Sequence, residues 1–353
     1  MDNNSQKNIN FNHLSKEEKA HLKKRISTSV YGYIKRKRLL KYGIGVTAAV
    51  VVIFVSIGIF NSPASQLSPI EVFAKNVKDL ESLSQVQLVL SEDQNIEITE
   101  DHSSITYSST GEEVQIGNSH SINQKTSHKN APVFNTLIVP FGKRSEIVLS
   151  DGSKVWLNSG SKLIFPAQFS EDKREVYLQG EAIFEVAHRQ KQPFMVKSDH
   201  HEIEVLGTVF NVSNYTDDQA IYTVLQSGSV QINVTEDRLF NAQKHIKIAP
   251  GTLATFDKND RAVKTQSVAT EPYFSWRDGI FIFKNDSLKS IMKKISRYYN
   301  VEIIINNYDL ANETFSGYLD VKETIEHVMQ TFKATESPEF EYYLTQDNQL
   351  IIN

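Results

Sequence analysis

Residues able to do chemistry are few in this chain, and their spacing argues against an ordinary active site. Ten histidines are present, but no His-x₃-His pair places two imidazoles on one helical face, so no metal centre is expected. His200 and His201 are adjacent, which on a strand turns them to opposite sides, and they read as surface or turn residues. Cysteine is absent, which removes thiolate nucleophiles, disulfides and Cys metal sites together. No G-x-S-x-G nucleophile elbow, Walker loop or G-x-G-x-x-G dinucleotide loop occurs. The carboxylates are scattered without a pairing that would assign an acid and a base. The expectation is a protein without cofactor whose chemistry lies in charged and apolar surfaces, not in catalysis.

Those surfaces depend on one element. Gly43 to Phe60 is an eighteen-residue run without a charge, about the minimum for crossing a hydrocarbon core of roughly 30 Å. Lys35, Arg36, Lys37, Arg38 and Lys41 precede it, and Asn61, Ser62 and Pro63 follow. The positive-inside rule then places residues 1–42 in the cytoplasm and residues 61–353 across the membrane. A cleaved signal peptide would need a far shorter basic region, and Ser62-Pro63-Ala64 makes a poor cleavage site. Charge divides at the same place: residues 1–42 carry 11 Lys/Arg and 3 Asp/Glu, against 27 and 39 in the remainder. Bases crowding a membrane serve as an orientation signal and a contact for anionic lipid, so no direct nucleic-acid partner is expected. A large exported region without disulfides fits a bacterial periplasm.

Ahead of the run, Ser15 and Glu18 have capping-box spacing, and Leu22, Ile26, Val30 and Ile34 recur every fourth residue with Tyr33 beside them. A lone amphipathic helix has no core in which to bury this stripe. It must lie on lipid, self-associate or dock on a partner. Gly32 weakens the helix by about 1 kcal/mol relative to Ala and allows a break there.

Residues 61–132 read as a polar linker with short strands. Residues 133–265 hold many short strands with no long helix between them, beginning with the hairpin around Asp151-Gly152. That pattern predicts an all-β sandwich, roll or solenoid. Residues 266–353 switch period from two to 3.6 and back, twice, predicting a small α+β domain of two β-α-β units. Asn285 or Asp286 is expected to cap a first helix carrying Leu288, Ile291, Met292, Ile295 and Tyr299. Asp320 and Glu323 are expected at the start of a second carrying Ile325, Val328, Met329 and Phe332. The free sheet edge of this domain offers a place for an extended peptide.

The segments "VPFGKRSEIVLSDGSKVWLNSGSKLIFP", "YLQGEAIFEVAH", "QPFMVKS", "VLGTVFNVSNY" and "VLQSGSVQI" resemble, in order, the core motifs of FecR-family anti-sigma proteins. "WRDGIFIFKNDSLKSIMKKISRYYNVEIIIN" with "FSGYLD" resembles the C-terminal domain that accompanies FecR in Bacteroidetes-type members. The resemblance covers about residues 130–353. It implies a transmembrane relay. The signalling domain of a TonB-dependent outer-membrane transporter would contact the periplasmic region, and an extracytoplasmic-function (ECF) sigma factor would bind the cytoplasmic tail through Leu22, Ile26, Val30, Tyr33 and Ile34. The protein would sit in the inner membrane. The resemblance also implies a possible self-cleavage at Gly207-Thr208, the only catalysis expected; the plainer reading makes Gly207 a turn and Thr208 the start of a strand. An alternative to the relay is a membrane-tethered periplasmic β-protein with a structural or binding role and no sigma partner.

Overall fold

The structure, a computed structural model, describes residues 15–60, 67–77, 83–90, 94–99, 104–117, 120–128, 131–199, 201–235, 243–334 and 340–353. Side chains are described at all of these except 39–52, 54–60, 128, 235, 243 and 244. The chain divides into two units between Gln66 and Leu67.

Among its described residues the first unit is the helix Lys16–Phe60, which continues through Gly32 without a break. Its start is the predicted capping box: the Ser15 N–H donates to Glu18 Oε2 (2.9 Å), and the Glu18 N–H donates to Ser15 Oγ (3.2 Å). The predicted membrane run forms its C-terminal part, but the side chains of 43–60, apart from Ile53, lie outside the described residues. Among the described residues no helix is long and apolar enough to cross a membrane.

The second unit is mostly β. Strands between Val86 and Ser267 form a curled sheet whose two layers share the twelve-residue strand Arg174–Glu185. Its first half pairs with Ser161–Pro166 and runs parallel to Phe194–Lys197 in one layer. Its second half pairs with Lys154–Leu157 and Val209–Asn214 in the other. Gly180 sits at the crossing with φ +96°, and a Cβ there would lie 2.5 Å from Ser161 Oγ, so the bend between layers requires glycine. Leu88, Leu137, Leu163 and Ile203 of one layer meet Ile147, Phe184, Phe210 and Leu225 of the other in a single core.

Residues 61–132, read as a linker, contribute to this core. Val86, Leu88, Leu90, Ile105 and Val114 are buried in it, and Val86–Leu90 pairs with Phe134–Val139. The short helix Pro69–Ala74, started by the Ser68–Glu71 box, seats Ile70 on Ile164 and Tyr177. His201 also departs from its surface reading: it is buried, stacked on Phe256 at 5.5 Å and hydrogen-bonded to Ser198 Oγ at 2.8 Å. His200 lies outside the described residues.

The C-terminal part has the predicted two-unit plan, with the units interleaved. The leading strands Ile280–Ser287 and Thr314–Asp320 pair with each other, and Glu302–Ile305 pairs in parallel with Gln349–Ile352, which Tyr342–Leu344 joins. Helices Leu288–Tyr299 and Ile325–Lys333 bury the predicted stripes. Their caps are Ser287 and Thr324, whose side-chain oxygens accept from backbone N–H groups three residues on. Asn285 instead takes a left-handed φ of 58° and Asp320 closes a turn onto the Lys322 N–H, so neither is free to cap.

Candidate functional site

The N-terminal stripe is uncovered within its own unit. Leu22, Ile26, Val30 and Ile34 are 41–56% exposed, and Tyr31 and Tyr33 more so. Leu22, Ile26 and Val30 form one apolar ridge flanked by Lys19 and Lys23. Fully burying three such side chains is worth about 1.5–3 kcal/mol each. Lys35 to Arg38 are exposed, with Lys37 Nζ 5.6 Å from the Tyr33 ring centre; the Lys41 side chain lies outside the described residues.

In the second unit, Gly207 and Thr208 lie between the strands His201–Val205 and Val209–Asn214. Thr208 is buried; its hydroxyl donates to the Ser229 carbonyl (3.0 Å) and its carbonyl accepts from the Val186 N–H (3.0 Å). A Cβ at position 207 would stand 2.5 Å from His188 Nδ1, so glycine lets the imidazole pack against the Gly-Thr bond. Arg174 secures this corner. Fully buried, it donates to Asp151 Oδ2 (2.6 Å) and to the carbonyls of Ala187 (2.8 Å), Gln192 (2.9 Å) and Leu206 (3.4 Å). It thereby ties the segment before His188 to the segment before Gly207. Burial lowers the Arg174 pKa, and the Asp151 carboxylate opposes that. Asp151, expected only as a turn residue, is half of a buried ion pair.

Sequence reasoning missed a third place, where the β layers meet the C-terminal part. Ile183, Val224 and Leu253, on the outer face of the second layer, share a core with Phe274, Trp276, Phe281 and Ile295. Arg297 reaches across this junction. It donates to Asp217 Oδ1 (2.8 Å) and Asp218 Oδ1 (2.9 Å), and its guanidinium stands 3.6 Å from the Tyr215 ring centre. Lys293 Nζ reaches Asp218 Oδ1 at 2.5 Å, and Arg144 donates to the Trp276 carbonyl. Burial alone would raise the Asp217 pKa, but the hydrogen bond from Lys293 and the two cations hold it below the ordinary aspartate value. Burial likewise works against the charge on Arg297, but the Asp218 hydrogen bond together with the charges of Asp217 and Asp218 and the nearby Tyr215 raises its pKa above the ordinary arginine value.

Beside this clamp lies a cavity of about 510 Å³. Glu181 faces it, held by Asn158 Nδ2 (2.8 Å) and Asn211 Nδ2 (3.0 Å). Surrounding protein raises the Glu181 pKa by desolvation, against the pull of those two amides and of Lys294 and Arg297. Among the described residues no group of His and acidic side chains could hold a metal ion.

Residues 135–231 match the FecR protein family, and residues 280–352 match the FecR C-terminal family. The chain belongs to the FecR family. No curated protein matches it in sequence. Two crystal structures of a candidate anti-sigma factor from Parabacteroides distasonis ATCC 8503, at 1.65 and 2.50 Å, are similar in fold. Each aligns with a TM-score of 0.55 and 22% identity over 62% of this chain and 98% of the other. In this FecR-family chain the Arg297 clamp therefore joins the two matched regions, and strands outside both matches complete the β core.

Proposed function

We propose that this FecR-family chain is a single-pass inner-membrane anti-sigma regulator, with its N-terminus in the cytoplasm and its C-terminus in the periplasm. Family membership supports a role in regulating a sigma factor. The observation that carries the reading is the uncovered ridge of Leu22, Ile26 and Val30 on a helix that forms a unit of its own. Such a ridge fits an apolar groove on a partner, with contacts at helical spacing. An ECF sigma factor would occupy it, and the body beyond the membrane run would receive the signalling domain of a TonB-dependent outer-membrane transporter.

The test is capture of a co-expressed ECF sigma factor by the full-length chain. Wild type is expected to retain it, and Ile26→Asp with Val30→Asp to lose it while the body melts unchanged. Retention by the double variant removes the ridge as the contact. If wild type captures no sigma factor and deletion of the gene leaves transcription unchanged, the protein is instead a tethered β-protein with a structural or binding role.

A second reading rests on His188 packed beside the Gly207-Thr208 bond. In self-cleavage Thr208 Oγ attacks the Gly207 carbonyl carbon, giving an ester and a free Thr208 amine, and water hydrolyses the ester to a Gly207 carboxylate. Thr208→Ala is expected to abolish a two-fragment pattern on an immunoblot; an unchanged pattern rejects the step.

A further inference from the structure

We infer that the junction cavity is a binding site for a small zwitterion of the amino-acid or dipeptide class, held by its ammonium at Glu181 and by its carboxylate at Lys294. The inference goes beyond the sigma reading and does not depend on it.

The charges around the cavity sort into those already paired and those left over. Its lining carries four carboxylates and four cations. Lys293 and Arg297 take up Asp217 and Asp218. Glu181, Asp286, Lys289 and Lys294 remain, and among the described residues none of them forms an ion pair. A ligand with a single charge therefore meets as much repulsion as attraction. A ligand carrying both signs a few atoms apart is drawn in at both ends. Asn211 Oδ1 and Trp276 Nε1 are unmet but sealed from solvent, and take no part. Glu181 and Lys294, by contrast, both keep part of their surface open.

Geometry singles out Glu181 and Lys294 within that set. Asn158 donates to Glu181 Oε2 (2.8 Å) and Asn211 to Oε1 (3.0 Å), which fixes the carboxylate and leaves each oxygen a further lone pair. An ammonium brings three donors to such a group, and its charge strengthens each bond it makes there. Burial raises the Glu181 pKa, and the charge of Lys294 opposes that, so Lys294 stands close enough to act on the carboxylate. The two nevertheless form no hydrogen bond or ion pair with each other. A fixed acceptor and an unpaired cation set a short way apart are what the two ends of a zwitterion can join. Lys294 Nζ stands 5.8 Å from the Phe283 ring centre, and Tyr222 and Tyr273 also line the space, offering aromatic surface to an apolar side chain. At about 510 Å³ the volume falls within the range of roughly 300–1,000 Å³ typical of small-molecule sites. Glu181 belongs to the strand shared by the β layers and Lys294 to the helix Leu288–Tyr299, so the ligand would bridge the two parts.

The test is equilibrium dialysis of radiolabelled leucine and alanyl-leucine against the full-length chain. Saturable uptake of at least one is expected. Its N-acetyl form, which lacks the ammonium, and its amide form, which lacks the carboxylate, are each expected to compete about tenfold less well, about 1.4 kcal/mol. Glu181→Gln should weaken the zwitterion at least about tenfold and leave the N-acetyl form as it was. Lys294→Met should weaken the zwitterion by a similar factor and spare the amide form. Because Lys294 is only partly buried, that variant is expected to melt as wild type does and carries the test if Glu181→Gln melts early. No saturable uptake of either compound at about 10 mM, equal competition by the blocked forms, or full affinity in Lys294→Met would overturn the inference.

Discussion

Two arginine–aspartate pairs do different work in this molecule. Arg174 and Asp151 are sealed inside the β layers, with side chains 0% and 1% exposed. Arg297 meets Asp217 and Asp218 at the junction, where Asp217 remains 59% exposed. The inner pair cannot be solvated without opening the fold, and its guanidinium also satisfies three carbonyls. The junction pair already meets water on its Asp217 side. Chemically similar contacts thus lie sealed from water in one place and open to it in the other. Burial, more than the identity of the ions, makes the difference.

The largest effect should come from Arg174→Met, which strands Asp151 in the core. A loss of about 3–5 kcal/mol is expected in chemical denaturation, with much of it recovered when Asp151→Leu is added. A small loss in the single variant would break the contrast. Next comes Arg297→Ala, at about 1–2 kcal/mol, since charged hydrogen bonds here are discounted for exposure. Amide exchange is expected to quicken in 288–299 while Phe184 and Phe210 stay protected. If protection falls equally everywhere, the junction is not a separable contact.

Two pH effects sharpen the same contrast. Asp217 has a depressed pKa in the folded state, so its contribution is present above the unfolded aspartate value and disappears as pH falls through the folded one. Acid should therefore loosen the junction first, seen as faster exchange in 288–299. Glu181 has a raised pKa, so the wild type loses stability as pH rises from the unfolded carboxylate value through the folded one. Glu181→Gln should flatten that dependence in denaturation series across pH 4–8; an unchanged slope would assign it elsewhere. Smallest is Glu341→Ala. Its pair with Lys333 at 3.0 Å is 44% and 75% exposed, and its loss should stay within about 0.5 kcal/mol.

Local pattern made much of the fold legible. Asp151-Gly152 announced a hairpin, and Lys154 indeed pairs with Val148 with Gly152 at φ +87°. The helical stripes of the C-terminal part were readable because every fourth or third residue is apolar over three turns. Arg174 was not readable: it opens the strand "REVYLQ" among charges, and its partner is 23 residues away. The helix Pro69–Ala74 had a signal, since Ser68 and Glu71 stand at box spacing with Pro69 between them. The junction had one as well. Ala182, Ile183 and Phe184 are consecutive and apolar, which gives a strand two dry faces, and the second face needed a cover. The unmet atoms of Asn211 and Trp276 had none, because only three-dimensional placement leaves a polar group without company.

The shared strand Arg174–Glu185 has a mechanical consequence. Its hydrogen bonds run crosswise to it on both flanks and in both layers. A lengthwise tug on it would load those bonds side by side, whereas the rungs of an isolated helix, lying along its axis, open one after another. Tension travelling through such a chain should stretch the single helix well before it shears the β body.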